Sequence, residues 1–361
     1  MKVLVIGAGV LGSLVACRFQ ESGQQVTVFA RNERYEQIKT NGLDLVEFET
    51  DIRSVVRVDV TDRIEKDDFY DLAVVLVRKN QLKDLLPQLA VNKKIPTFLF
   101  MMNNAEGPED LIRWLGRERV LLGFPGAGGK RSANGRVTYR IVSSRVQATQ
   151  LGELDGTISP RLKQIAEVFR KAGFSIQIQN NMVAWLKTHV ALVSPVANAI
   201  YLAGCDLSRL ADTQDGLIMM IRAIREGFHV LNHLDIPITP KWFSRILLIP
   251  ESVWITILRI GLKSPKSELV LAEHARSARD EMRQLALEFQ RLAIQSKVPT
   301  PNIDNLMRYV DINLEPLPQG SRTIKVSRRD WVPVLIAALI VSLGIANCLR
   351  IKSIHRKQNF D

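Results

Sequence analysis

Gly7, Gly9 and Gly12 form a G-x-G-x-x-G pattern directly after KVLVI, a run of five residues that reads as a strand. The chemistry such a turn supports is the binding of a dinucleotide pyrophosphate. The first glycine permits a tight turn, the second lets the backbone approach the phosphates, and the third lets a following helix pack closely on the strand. The amides of Val10, Leu11 and Gly12, at the helix N-terminus, then face the anion. A glycine triplet alone is a weak signal. Here it is followed by the helical stretch SLVACRFQESG and by a second strand, QQVTVFAR, that ends about twenty residues on, the context the motif requires. Chains that bind NAD carry a carboxylate at that strand end; this one has Arg31, with Arg34 nearby, which suits a 2′-phosphate and predicts NADP(H).

The elements that must hold this turn are legible in the next hundred residues. LDLVEF (43–48), DLAVVLV (71–77), TFLFMM (97–102) and RVLLGF (119–124) read as further strands. DLAVVLV and TFLFMM are near-continuous apolar runs, as expected of parallel strands covered on both faces. VTYRIV and RVQATQLG (137–152) read as antiparallel additions. Beyond about Asp155 strands give way to apolar residues at helical spacing, as in NMVAWLKTHVALVSPVANAIYLAG and SELVLAEHARSARDEMRQLALEFQRLAI. The fold class is therefore α/β, a Rossmann-type doubly wound sheet followed by a mostly helical domain. The expected boundaries are 1–155 for the dinucleotide domain, 156–310 for the helical domain and 311–330 for a basic linker.

The 361 residues carry a formal charge of +12, of which +6 comes from eight Lys/Arg and two Asp beyond residue 319. No basic stripe with interleaved aromatics exists elsewhere, so nucleic acid is excluded as a partner. Cys17, Cys205 and Cys348 have no metal-ligand spacing, and no metal site is expected. WVPVLIAALIVSLGIANCL (331–349) has no charge in 19 positions and, with Trp331 at one end and basic flanks, is expected to be a transmembrane helix ahead of a short tail, 350–361. Four Lys/Arg precede it and four follow, so charge does not orient it. With no signal peptide before the first strand, the large N-terminal part is expected in the cytoplasm. WFSRILLIPESVWITILRIGL (242–262) is unusually apolar, but Pro250, Glu251 and Arg259 argue against a span; core, a homodimer interface and a face resting on the bilayer remain open.

Several separated segments together resemble the ketopantoate reductase family, over roughly residues 1–310. GAGVLGS and VFAR match its cofactor half; VRKNQL places Arg78 and Gln81 at its strand-end Lys-x-x-Gln, and MNNAEG places Asn104 at its active-site asparagine. WLK places Lys187 at the family's catalytic lysine, and DEMRQLALEF places Glu281 at its glutamate. The resemblance implies NADPH-dependent reduction of a small 2-oxo acid. Hydride goes to the C2 ketone, Lys187 donates the proton, Glu281 orients the lysine or a substrate hydroxyl, and Asn104 stands near the nicotinamide. The family's asparagines four and eight residues after the lysine are Ala191 and Pro195 here; Ser194 and Asn198 are the nearest substitutes, with Ser267 and His274 further candidates for substrate contact. Two alternatives stay open: a non-catalytic NADP(H)-binding sensor or recruitment module, and a dehydrogenase of a larger hydrophobic or amino-acid-derived substrate.

Overall fold

The computed structural model describes residues 1–327 and Trp331. Twelve strands are present: β1 (Lys2–Ile6), β2 (Gln25–Phe29), β3 (Leu43–Glu47), β4 (Arg53–Val56), β5 (Asp59–Thr61), β6 (Leu72–Val75), β7 (Phe98–Met101), β8 (Val120–Phe124), β9 (Ala127–Arg131), β10 (Val137–Ile141), β11 (Thr149–Gly152) and β12 (Ile176–Ile178). Eight of them form one sheet in the order β12-β11-β8-β7-β6-β1-β2-β5. All its pairings are parallel except β11 with β8. β6 and β7 are buried along their whole length, which is why their sequences do not alternate. The chain runs outward from β1 to β2 and then returns to β6 on the other side of β1. The crevice beyond the carboxyl ends of β1 and β6 is thus a topological switch point, where open α/β sheets bind ligands.

Among the helices are α1 (Val10–Glu21), α2 (Met182–Leu202), α3 (Gln214–His233), α4 (Glu251–Leu262) and α5 (Arg279–Ser296), of which α1, α2 and α5 border that crevice. A second sheet, in the order β4-β3-β10-β9, packs over α1 on the side away from the first. LDLVEF and VTYRIV are strands as expected, but they belong to this second sheet, where they pair in parallel. Register on α1 is set partly by Arg18, which donates to the Tyr139 hydroxyl at 2.7 Å.

The sequence boundary at 155 falls too early. The helix Pro160–Lys171 buries Leu162, Ile165 and Phe169 in the core of the first sheet, and β12 extends that sheet beside β11, so the helical domain begins near α2. It is a bundle of α2, α3, α5 and the helix Pro301–Met307 around a separate apolar core. The expected linker is also not free up to Ser327. Buried Asp215 accepts from the Ser321 hydroxyl, from the Thr323 amide and hydroxyl (both 2.9 Å) and from the Ile324 amide (2.8 Å). Buried Glu251 accepts from the Ser327 amide at 2.7 Å and pairs with Arg222. A polar, Pro- and Gly-containing sequence reads as linker because its partners, two buried carboxylates, are far away in the chain. Among the described residues no helix is long and apolar enough to cross a membrane. The expected span 331–349 lies outside them except for Trp331.

Burial pushes the Asp215 carboxyl up, but the hydrogen bonds from Ser321, Ile324 and Thr323 outweigh it and hold the group below its ordinary value. A carboxylate depressed in the folded state contributes stability above its unfolded pKa and loses it as pH falls through the folded one. Asp215→Ala is expected to lower stability by about 2–4 kcal/mol at neutral pH and to flatten acid sensitivity, as read by denaturant unfolding between pH 7 and 3.

Candidate active site

Two connected cavities lie in the crevice. The larger, about 800 Å³, is lined by residues 7–10, by Arg31, Asn32 and Arg34 beyond β2, by residues 76–78 and Gln81, and by residues 129–131 at the end of β9. The smaller, about 320 Å³, shares Gly9, Val10, Leu76, Val77 and Arg78 with it and runs on past Leu11 between the first sheet and the helical domain.

The glycine turn has the geometry its spacing predicts. Gly7 has φ of +104°, and a β-carbon there would stand 2.6 Å from the Leu76 carbonyl oxygen. A β-carbon at Gly12 would stand 1.7 Å from the carbonyl oxygen of Gly7, whereas one at Gly9 would meet nothing within 4 Å. The first α1 hydrogen bond runs from the Ser13 amide to Gly9, so the amides of Val10, Leu11 and Gly12 have no partner within the helix. A cavity bordered by helix amides and an open glycine fits a pyrophosphate.

Four cations surround the adenosine end: Arg31, Arg34, Lys130 and Arg131. Arg34 is a brace as well as a charge. It donates to Ala8 O (3.1 Å), Ser13 Oγ (2.9 Å) and Gly135 O (3.1 Å), tying the second sheet to the glycine turn. Burial and the neighbouring Arg131 push its guanidinium down to about 10. Arg31 packs over the Phe29 ring, 5.5 Å from its centroid. Lys130 and Arg131 were not anticipated; they follow GAGG on a strand the sequence pattern did not reveal. The residues therefore fit a phosphorylated dinucleotide.

At the waist between the cavities, Arg78 donates to Asp280 Oδ1 (3.1 Å) and to the Ser277 carbonyl, while Gln81 accepts from the Arg78 amide at 3.3 Å. The inner cavity is walled by Met101, Met102, Phe124, Val193, Ile200 and Leu271, and its titratable lining residues are Arg78, His189, His274 and Glu281. Glu281 stands in the first turn of α5, because the expected continuous helix breaks at Ala278 (φ −127°, ψ 32°). Asn103 Nδ2 donates to Glu281 Oε1 at 3.4 Å. Burial raises the Glu281 carboxyl above its ordinary value against the pull of Asn103 and Arg78. His189 is stacked on Trp185 (centroids 5.0 Å, 10° between planes) and lies 4.2 Å from the Phe124 ring. Burial, with a smaller effect of His274, pushes His189 down to about 4; burial and Arg78 lower His274 too. Both imidazoles are held neutral at physiological pH.

Glu281 and His274 line the cleft, whereas Asn104, Lys187, Ser194, Asn198 and Ser267 line neither cavity. Asn104 is displaced by its neighbour Asn103. Its own side chain closes the 104–107 turn, accepting from the Gly107 amide (3.0 Å) and from Lys79 Nζ (3.1 Å) and donating to Gly107 O (2.7 Å). Lys187 lines neither cavity. His189, Val193, Val196, Ala197 and Ile200 are the α2 residues that line the cleft, and Lys187 stands about 180° around the helix from Val196 and about 80° from Ala197. It is half-buried, with Glu109 and Glu106 as its acidic neighbours, and burial lowers its ammonium. Ser194 and Asn198 are buried elsewhere on α2, and Ser267 Oγ donates to Gly261 O at 2.7 Å. Ala191 marks the crossing of α2 and α3, since a β-carbon on Gly227 would stand 3.2 Å from that of Ala191 and an asparagine would not fit. His189 was missed although it is a polar residue two places from Lys187 in an apolar helix.

Residues 3–156 match the family model described as ketopantoate reductase PanE/ApbA. The 2-dehydropantoate 2-reductase of Aquifex aeolicus is 22% identical over 239 residues, 66% of this chain and 74% of the relative. That of Archaeoglobus fulgidus is 28% identical over 203 residues, 54% and 63% of the two chains. Among solved structures, 2-dehydropantoate 2-reductase from Geobacter metallireducens superposes with a TM-score of 0.70 at 16% identity, covering 86% of this chain and 99% of that one. D-mandelate dehydrogenase with NADH and anilino(oxo)acetate gives 0.68 at 17% identity, covering 86% and 97%. The sequence comparisons show similarity to ketopantoate reductases, and the solved structures share the fold through the helical domain.

The two inner glycines are separable by experiment. Gly9→Ala is expected to keep the unfolding midpoint within a degree or two while weakening dinucleotide binding about tenfold or more, because its β-carbon enters only the cavity. Gly12→Ala is expected to lower stability by roughly 3 kcal/mol through backbone overlap, as read by thermal unfolding without cofactor.

Proposed function

We propose that this chain is an NADPH-dependent reductase of a 2-oxo acid, a ketopantoate reductase relative held at a membrane with residues 1–327 in the cytoplasm. The observation that carries the reading is that the two cavities adjoin, sharing Gly9, Val10, Leu76, Val77 and Arg78, so that a cationic dinucleotide site borders an apolar chamber lined by Glu281, whose carboxyl burial raises. Preference for NADP(H) is supported by Arg31, Lys130 and Arg131, and by the residues beyond β2 that line the cavity, Arg31, Asn32 and Arg34, which include no carboxylate. Membrane attachment is supported by the uncharged segment 331–349 and its basic flanks.

The bound dinucleotide supplies the hydride that reaches the substrate carbonyl carbon. Arg78, at the waist, is the cation available to the substrate carboxylate, with Asp280 fixing its direction. The Asn103 amide, beside Glu281, orients the ketone. Glu281, whose carboxyl burial raises, is the acid that gives its proton to the oxygen that gains negative charge and recovers one from solvent. This assigns to Glu281 the role that the sequence resemblance assigned to Lys187. The apolar wall excludes water and strengthens each of these interactions.

That wall also favours a second reading within the same chemistry: a substrate larger and more apolar than ketopantoate. No polar pair on α2 faces the chamber to bind a substrate hydroxyl, since Val193 and Val196 stand there.

NADPH oxidation by the full chain in detergent, across 2-oxo acids of increasing side-chain size, tests the proposal. Glu281→Gln is expected to lower kcat about 10²-fold or more, and the wild-type rate to fall as pH rises through the raised Glu281 pKa. Lys187→Ala is expected to retain kcat within about threefold, since the residue lies outside the cleft. Arg31→Asp is expected to weaken NADPH about tenfold or more and to leave NADH nearly unchanged. Binding of NADPH with no turnover on any acid would instead favour the non-catalytic sensor.

A further inference from the structure

α4 and the turn before it expose an apolar surface on the helical domain. Val253, Ile257 and Ile260 form one stripe along α4, at 36%, 52% and 73% exposure, and Trp242 and Leu248 stand exposed just before it. The opposite face of α4 holds it to the domain core through Ile255 and Leu262, both buried. The helix is thus apolar on two sides although only one is covered. Within residues 241–263 the exposed charges, Lys241, Arg245 and Lys263, are all basic, and the one acid in the segment, Glu251, is buried between Arg222 and Arg225. Lys263 is paired with Asp212.

The residues up to Ser327 are held at this same surface. Glu251 opens α4 and accepts from the Ser327 amide, while Arg222 donates to the Lys325 carbonyl at 2.9 Å. The uncharged segment therefore begins only four residues beyond the anchored Ser327, a span of about 14 Å at most. Whatever holds residues 331–349 stands next to the exposed stripe.

We propose that this surface lies on an anionic lipid bilayer, its stripe inserted at the headgroup boundary and its basic residues on the phosphates, so that the domain is oriented and not merely tethered. A tail alone permits any tilt of the domain; a second contact beside the tail selects one. α4 also leads, through residues 263–269, into Val270 and Leu271, which line the chamber, so the bilayer contact is covalently close to the substrate wall. The inference rests on the membrane attachment proposed above.

The test uses the full chain reconstituted into vesicles containing phosphatidylglycerol, with dibrominated acyl chains as the quencher. Co-sedimentation that resists alkaline extraction reports the anchor. The difference in fluorescence between the native chain and Trp242→Phe reports the surface. Quenching of that difference signal by about twofold or more is expected, and Ile257→Asp with Ile260→Asp is expected to abolish it while the chain still sediments. Because both side chains are exposed, that variant folds; its unfolding midpoint in detergent checks this. Sedimentation without quenching would overturn the docking proposal and leave the anchor intact. Failure to sediment would overturn the anchor and the docking with it. Disulfide-linked dimers from Ile260→Cys in the vesicles, with no quenching, would assign the surface to a second copy.

Discussion

The site exists because the carboxyl ends of β6 and β7 are bonded to α5 across a seam of charges. Arg78 and Asn80 reach Asp280, Asn103 reaches Glu281, and the Ala105 amide donates to the fully buried Glu288 at 3.2 Å. Lys79, almost buried, lies 3.8 Å from Glu288 and 3.6 Å from Glu106. Burial raises the Glu288 carboxyl, so this cluster is costly to form and more costly to break on one side only. Its geometric effect is to hold two separately packed cores at one spacing, and that spacing is the chamber.

The chamber's chemistry follows from its dryness. An apolar wall moves the buried carboxyl and imidazoles toward their neutral forms, lifting Glu281 and lowering His189 and His274. The outer cavity does the reverse: Arg31, Lys130 and Arg131 are exposed there, beside the half-buried Arg34, and gather positive charge. One crevice therefore contains an anion-binding half and a proton-holding half, and Arg78 belongs to both. Hydride transfer to a carboxylate-bearing ketone needs this division, because the cofactor is highly charged while the reacting carbonyl gains charge only in passing.

Much of this was legible one residue at a time, and the misreadings were mostly of register. MNNAEG contains two asparagines, and only the turn at Gly107 decides that Asn104 is consumed locally while Asn103 points inward. In WLKTHVALVSP the motif position is Lys187, but the cleft-facing position is His189, because the close crossing at Ala191 and Gly227 sets the rotation of α2. The apparent linker was read from composition. Composition cannot register that Asp215 and Glu251 stand 109 and 76 residues before Ile324 and Ser327, the strap residues whose amides they accept.

The sequence by itself determined the features that depend on neighbours in the chain. These are the glycine turn after β1, the parallel apolar strands, the absence of an acid at the end of β2, and the uncharged segment 331–349. Each is a local pattern whose physical cause, backbone sterics or hydrophobic burial, acts over a few residues. Only the tertiary structure decided which polar side chains share a cavity. Lys130 joins Arg31 across the second sheet, and Glu281 meets Asn103 across the domain seam. Such choices turn on helix rotation by a fraction of a turn, and packing between distant segments, not local propensity, sets that angle.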